Sequence, residues 1–224
     1  MYSMRDAVSA RITLALALIA VVAGAVTVGG CNRPDDLDES GGFAVSHAAD
    51  CLPDVTLLNQ NGQRVSLLSL KGKPVLFDFI YASCPGPCLV LTARMKQIAN
   101  ELGPALGKDV RFVSVSVDPE HDHPRELLTY ANNQAANLDG WLFLTGTPKQ
   151  IDDVMAGFNL SRASEADMSP DHALEFFLVA PNGRELLQYL GDKATAERIA
   201  SDMERAATGK SVTASDGSVV KVTL

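Results

Sequence analysis

Val75-Leu76-Phe77-Asp78-Phe79-Ile80-Tyr81 and, shortly after it, Cys84-Pro85-Gly86-Pro87-Cys88 decide how this chain is read. The first stretch is almost continuously apolar, which fits a central strand buried on both faces. The second leads into Leu89 to Leu102, where Leu91, Met95, Ile98 and Leu102 share one helical face and Gly103-Pro104 stops the run. The expected centre of the fold is therefore a buried strand, a short loop with two cysteines, and a helix.

Working outward, Val55 to Leu58 and Gln63 to Leu67 are short β-prone runs around Asn61-Gly62, a strong hairpin signal. Val110 to Val117 reads as a second buried strand, Pro124 to about Asn133 as a helix, and Trp141 to Thr145 as another strand. Pro148 opens a helix with Ile151, Val154, Met155 and Phe158 along one side. Leu174 to Val179 and Glu185 to Tyr189 form a hairpin around Pro181-Asn182-Gly183, and Ala194 to Ala207 is a terminal helix. This order predicts an α/β fold: a thioredoxin-like three-layer sandwich with a mixed sheet and an extra N-terminal β-hairpin. The tail, residues 209–224, has a turn signal at Asp216-Gly217 that suits a small hairpin.

The N-terminal thirty residues read as an address rather than as core. Arg5 and Arg11 precede Ile12 to Val28, seventeen residues without a charge. That is a signal-peptide pattern, and also close to the lower limit of about 17 residues for a membrane span. Val28-Gly29-Gly30-Cys31 resembles a bacterial lipobox, which makes Cys31 the expected lipidation site. Residues 31–50 are acidic and aperiodic and contain Gly41-Gly42, so they read as a flexible tether, with His47 a solvated residue in it. Residues 51–208 are left as the folded domain. Either N-terminal reading puts that domain outside the cytoplasm, on the bacterial periplasmic side and anchored to a membrane. With 27 acidic against 19 basic residues and no basic run, the chain is not a nucleic-acid binder.

The cysteines carry the chemistry. Four are too few to staple a chain of 224 residues. Cys84 and Cys88 stand four apart at a helix start, where side chains can approach each other and where amides and the helix dipole favour thiolate. Thiolate binds soft metals and attacks disulfides, so the pair supports metal ligation and dithiol redox alike. A purely structural disulfide would close so short a loop that it gains little loop entropy. A soft-metal site needs a third donor, and the domain offers His121, His123 and His172. Position alone does not choose among them. Cys51 is left over, a candidate for an intermolecular link or a buried thiol.

From about residue 52 to 207 the chain resembles the Sco/SenC family of copper-handling, thioredoxin-fold proteins. The resemblance rests on Gly72-Lys73-Pro74-Val75-Leu76-Phe77, on Cys84-Pro85-Gly86-Pro87-Cys88, on Val115 to Pro124, and on Asp171-His172 with Pro181-Asn182-Gly183. It implies copper, as Cu(I) or Cu(II), held by Cys84, Cys88 and His172. It implies delivery to the copper-bearing subunit of cytochrome c oxidase, or exchange with another copper chaperone. It also leaves a thiol-disulfide oxidoreductase acting on the oxidase's copper-site cysteines as the alternative. Asp118 and Asp122 match the family's loop aspartates; they are expected to steady the site or a docking partner, or else to form a turn and cap the next helix. Leu89 stands where the family often has proline, and His121 and His123 replace residues that are commonly Arg and Thr. The His-x-His pair is a candidate auxiliary copper site. A peroxiredoxin is the third and weakest reading, because the threonine it needs three residues before its reactive cysteine is Tyr81 here.

Overall fold

In the computed structural model of the chain, residues 42–44, 51–161, 175–190, 193–214 and 217–224 are described. Strand β4 (Val75–Ile80) is the middle of an eight-stranded sheet of order β1-β8-β7-β4-β5-β6-β2-β3. The other strands are β1 (Gly42–Ala44), β2 (Thr56–Asn59), β3 (Arg64–Ser66), β5 (Arg111–Ser116), β6 (Trp141–Thr145), β7 (Glu175–Val179) and β8 (Glu185–Leu190). β4, β5 and β6 run parallel, and every other pairing in the sheet is antiparallel. A mixed sheet of this kind needs cover on both faces, and four helices supply most of it: α1 (Pro87–Leu102), α2 (Pro124–Asn133), α3 (Pro148–Gly157) and α4 (Ala196–Ala207).

Alternation along the strands sorts the core into two layers. Leu76, Ile80, Phe112, Trp141, Phe176 and Leu178 join α1, α2 and α4 on one face. Phe77, Val113, Val115, Leu144, Phe177 and Val179 join Ile151, Val154 and Phe158, in and just after α3, on the other, together with Leu57, Leu67 and Leu70. This is the thioredoxin-like three-layer arrangement. Prolines open three helices, at Pro87, Pro124 and Pro148, because the missing N–H is not needed in a first turn and the fixed φ suits it. α1 thus begins two residues before the expected Leu89, which brings Cys88 inside the helix. Thr147 and Gln150 complete a capping box on α3.

The N-terminal hairpin β2–β3 turns through Gly62, whose φ of 74° favours glycine, and docks on the free edge of β6. Only Leu58 and Asn59 pair with β6 directly. Gln60 extends the ladder with its side chain: its Nε2 donates to the Trp141 carbonyl at 3.1 Å, and the Phe143 N–H donates to its Oε1 at 3.0 Å. At the opposite edge the sequence reading differs from the structure. Gly42–Ala44, placed in the flexible tether, forms β1 on β8. Three residues carry no periodicity to read; β8's open backbone edge makes them a strand. In the tail, β9 (Val212–Thr213) and β10 (Val219–Val220) pair antiparallel, and α4 is tied to it by Arg198, which bonds Asp202 and the Thr213 carbonyl.

Truncating Gln60 to alanine strips two buried backbone groups of β6, each worth about 1–3 kcal/mol when left unsatisfied. Urea unfolding of Q60A should show a lower midpoint with an unchanged slope; an unchanged midpoint would mean that the Gln60 side chain adds nothing to the hold on β6.

Candidate metal centre

Because β4 and β5 are parallel and in register from Val75↔Arg111 to Ile80↔Ser116, both release their loops at the same sheet edge. The loop after β4 carries Cys84 and runs into α1; the loop after β5 carries Asp118, His121, Asp122 and His123. Asp122 bolts the two together. Its buried Oδ2 accepts from the Ala82 N–H at 2.9 Å and from the Ser116 hydroxyl at 2.6 Å. Asp118 instead accepts from His121 Nδ1 at 2.8 Å through Oδ1, while its carbonyl closes the turn by accepting from the His121 and Asp122 N–H groups. Neither aspartate caps α2: the N-cap is His123, whose side chain makes no cap bond.

Both thiols are buried, Cys84 at 5% and Cys88 at 1% exposure, and neither is in a disulfide. The Cys88 N–H donates to Cys84 Sγ at 3.3 Å. Position at the helix start leads one to expect two acidic thiols; the structure divides them. Burial would raise Cys84, but hydrogen bonds from the Cys88 thiol, the Gly86 and Cys88 amides and the Tyr81 hydroxyl outweigh it and lower this thiol below its ordinary value. Cys88 goes the other way, raised first by burial and then by its bond to Cys84. Tyr81 is pushed up to about 12, by burial and by that same hydrogen bond with Cys84. Cys84 is therefore the thiolate-prone member, and Cys88 the protonated reserve. Behind them, Tyr130 OH lies 2.7 Å from Thr92 Oγ1 and donates to the Cys88 carbonyl at 3.2 Å, fixing the first turn of α1.

Asp78 was not singled out from the sequence, although a lone carboxylate in a run that reads as buried on both faces was the available signal. It is fully buried on β4, and its two oxygens have no hydrogen-bond partner among the described residues. Burial pushes its pKa to about 7, and it adds to the rise of Cys88 and Tyr130. Cys51 lies on the other face of the sheet from the dithiol, a buried thiol whose Sγ donates to the Gly183 carbonyl at 3.4 Å. His172, Cys31 and His47 lie outside the described residues. Among those described, no three His, Cys, Asp or Glu side chains converge as a metal cage. The donors brought together here are thus the two sulfurs, which suit a soft metal but leave it short of ligands.

Two outcomes follow. Asp122→Ala leaves the Ala82 amide and Ser116 hydroxyl unsatisfied, so it should cost about 1–3 kcal/mol in denaturant unfolding, with Asp122→Asn milder. The raised Asp78 carboxyl makes stability fall as pH rises. Below pH about 4 both the folded and unfolded chain carry its proton. Above that the unfolded chain releases it first, and the loss is complete once the pH passes the folded value of about 7. Glu185, pushed to about 8 by burial, falls in the same window. Wild type should lose on the order of a few kcal/mol between pH 4 and 8.5, and Asp78→Asn should flatten much of that slope. A slope identical in both proteins would remove Asp78 as its source.

The SCO1/SenC family profile matches residues 44–208. The structure of BsSco, described as a member of the Sco family of cytochrome c oxidase assembly proteins with a disulfide switch, superposes with a TM-score of 0.62 at 38% identity, covering 71% of this chain and 94% of that one. A SCO1/SenC family lipoprotein from Bacillus anthracis matches at 31% identity and a TM-score of 0.61, covering 70% and 94%. Copper-bound ScoI of Bradyrhizobium japonicum matches at 29% identity and 0.57, covering 67% and 96%. The matched residues include the dithiol loop, and the chain belongs to the SCO1/SenC family.

Proposed function

We propose that this chain is an exported, membrane-tethered copper chaperone that binds copper through Cys84, Cys88 and His172 and delivers it to the binuclear copper centre of cytochrome c oxidase. The observation that carries the reading is the thiol pair at the start of α1, one lowered and one raised in acidity. Copper is supported by the copper-bound relative, and oxidase assembly by the family to which BsSco is assigned. Two sulfurs match Cu(I), and an added imidazole from His172 would extend tolerance to Cu(II). Cys84 would engage the metal first as thiolate, while Cys88 must give up its proton on binding. The chain's net charge of -8 suits a basic or metal-bearing docking face.

Anchoring belongs to the same proposal. Among the described residues no helix is long and apolar enough to cross a membrane. Residues 1–30 would be either a signal peptide cleaved before Cys31, which then carries the lipid anchor as the lipoprotein relative supports, or an anchor kept as a span.

The divided acidity also favours a second reading, a thiol-disulfide oxidoreductase. Cys84 thiolate would attack a substrate disulfide, forming a mixed disulfide and releasing one substrate thiolate. Cys88 would then attack Cys84 Sγ, leaving the substrate as a dithiol and this protein oxidised.

A copper titration with purified full-length protein separates the two. One tightly held copper per chain is expected, and that tight site is weakened at least about tenfold, or ~1.4 kcal/mol, in each of C84S, C88S and H172A. Retained affinity in all three would sink the copper assignment. H172A that loses copper yet still reduces disulfides would make the redox activity a separate function.

A further inference from the structure

We propose that His121 and His123 form a second, weaker copper site, a solvent-open pair of imidazoles beside the dithiol loop that captures aqueous Cu(II). It rests on the copper reading for its purpose, but its residues are independent of that site. The His121 side chain is 78% exposed, and its Nδ1 is held by the Asp118 carboxylate at 2.8 Å. A carboxylate behind one ring nitrogen fixes the tautomer, aims the ring and makes the other nitrogen a better donor; this is the usual support of a metal-binding imidazole. Nε2 is therefore the donor presented to solvent. His123 is exposed too, and its imidazole is not spent on capping α2. Its N–H donates to the His121 carbonyl at 3.2 Å, closing a tight turn that holds the two backbones side by side.

The place of the turn gives the pair its meaning. Asp122, between the two histidines, bonds the Ala82 amide two residues before Cys84, and the Val117 N–H bonds the Ile80 carbonyl at 2.8 Å. The histidine turn is thus pinned against the loop that carries the thiols. Asp118, Glu120 and Asp122 give the same turn a negative field that draws cations. Imidazole nitrogen suits Cu(II), which a thiol pair alone does not. No third protein donor converges among the described residues, so water fills the remaining positions and the metal stays exchangeable. Binding is ligand exchange alone: copper–water bonds break, two copper–nitrogen bonds form, and the oxidation state does not change.

The test uses the full chain and Cu(II) as the only probe. In a C84S/C88S/H172A background, His47, His121 and His123 are the remaining histidines. One equivalent of Cu(II) should bind there, with an electron paramagnetic resonance spectrum split by two nitrogens. Adding H121A/H123A should abolish that spectrum or weaken binding at least about tenfold, adding H47A should leave it intact, and adding D118N should weaken it by about 10-fold or more. Both rings are exposed, so these changes spare the core, and unchanged circular dichroism confirms it. No bound Cu(II) in the background variant, or a spectrum that survives H121A/H123A, overturns the proposal. Thiolate-to-copper absorption in otherwise wild-type H121A/H123A reports the dithiol reading separately, so the two stand or fall on different signals.

Discussion

Burial of β4 on both faces is the constraint from which the rest follows. Val75, Leu76, Phe77 and Ile80 are almost wholly enclosed, and each face of the strand meets a different core layer. Each such side chain contributes about 1.5–3 kcal/mol by leaving water. The strand therefore sits between β7 and β5 with little freedom of register, since a slip of one residue would exchange the two layers. A fixed β4 beside a parallel β5 brings two loops to one edge. The dithiol stands at that edge for topological reasons before any chemistry enters.

Polar groups tie this edge together on top of its packing. Asp122 satisfies an amide from one loop and a hydroxyl from the end of β5. Tyr130 reaches from α2 to the first turn of α1. The two sulfurs then differ because their surroundings differ. Cys84 lies in the loop and collects hydrogen bonds that favour thiolate; Cys88 lies in the helix, deeper, with little to offset burial. A pair built this way can present one reactive sulfur while holding the other back. That property serves metal capture and disulfide exchange equally, which is why the dithiol alone does not separate those two readings and a third ligand does.

Asp78 runs against the economy of the core. A buried carboxyl on β4 with no hydrogen-bond partner among the described residues costs stability at neutral pH, and it adds to the rise of Cys88. Buried ionisable groups of this kind concentrate at functional edges, where their charge acts through a medium less polar than water.

Much of this was readable in the chain. The apolar run of β4 marked a doubly buried strand, and Pro124 and Pro148 marked the first residues of α2 and α3, because proline acts locally through its fixed φ and absent N–H. The Cys84 and Cys88 spacing at a strand-to-helix loop marked the chemistry for the same local reason. Contacts between distant residues were not readable. Gly42–Ala44 is a strand only because β8 lies beside it. Asp122 read either as a residue that steadies the site or a docking partner or as a turn or cap residue, and only the fold brings Ala82, forty positions away, against its carboxylate. Helix-start reasoning made both thiols acidic, and burial, which a local pattern does not encode, reversed one of them. Sequence by itself determined which helices and central strands form and which residue types carry the chemistry, since those depend on periodicity and backbone geometry within a few positions. The tertiary structure alone decided which polar groups meet and how each thiol is tuned, since those depend on solvent exclusion and on neighbours the chain brings in from afar.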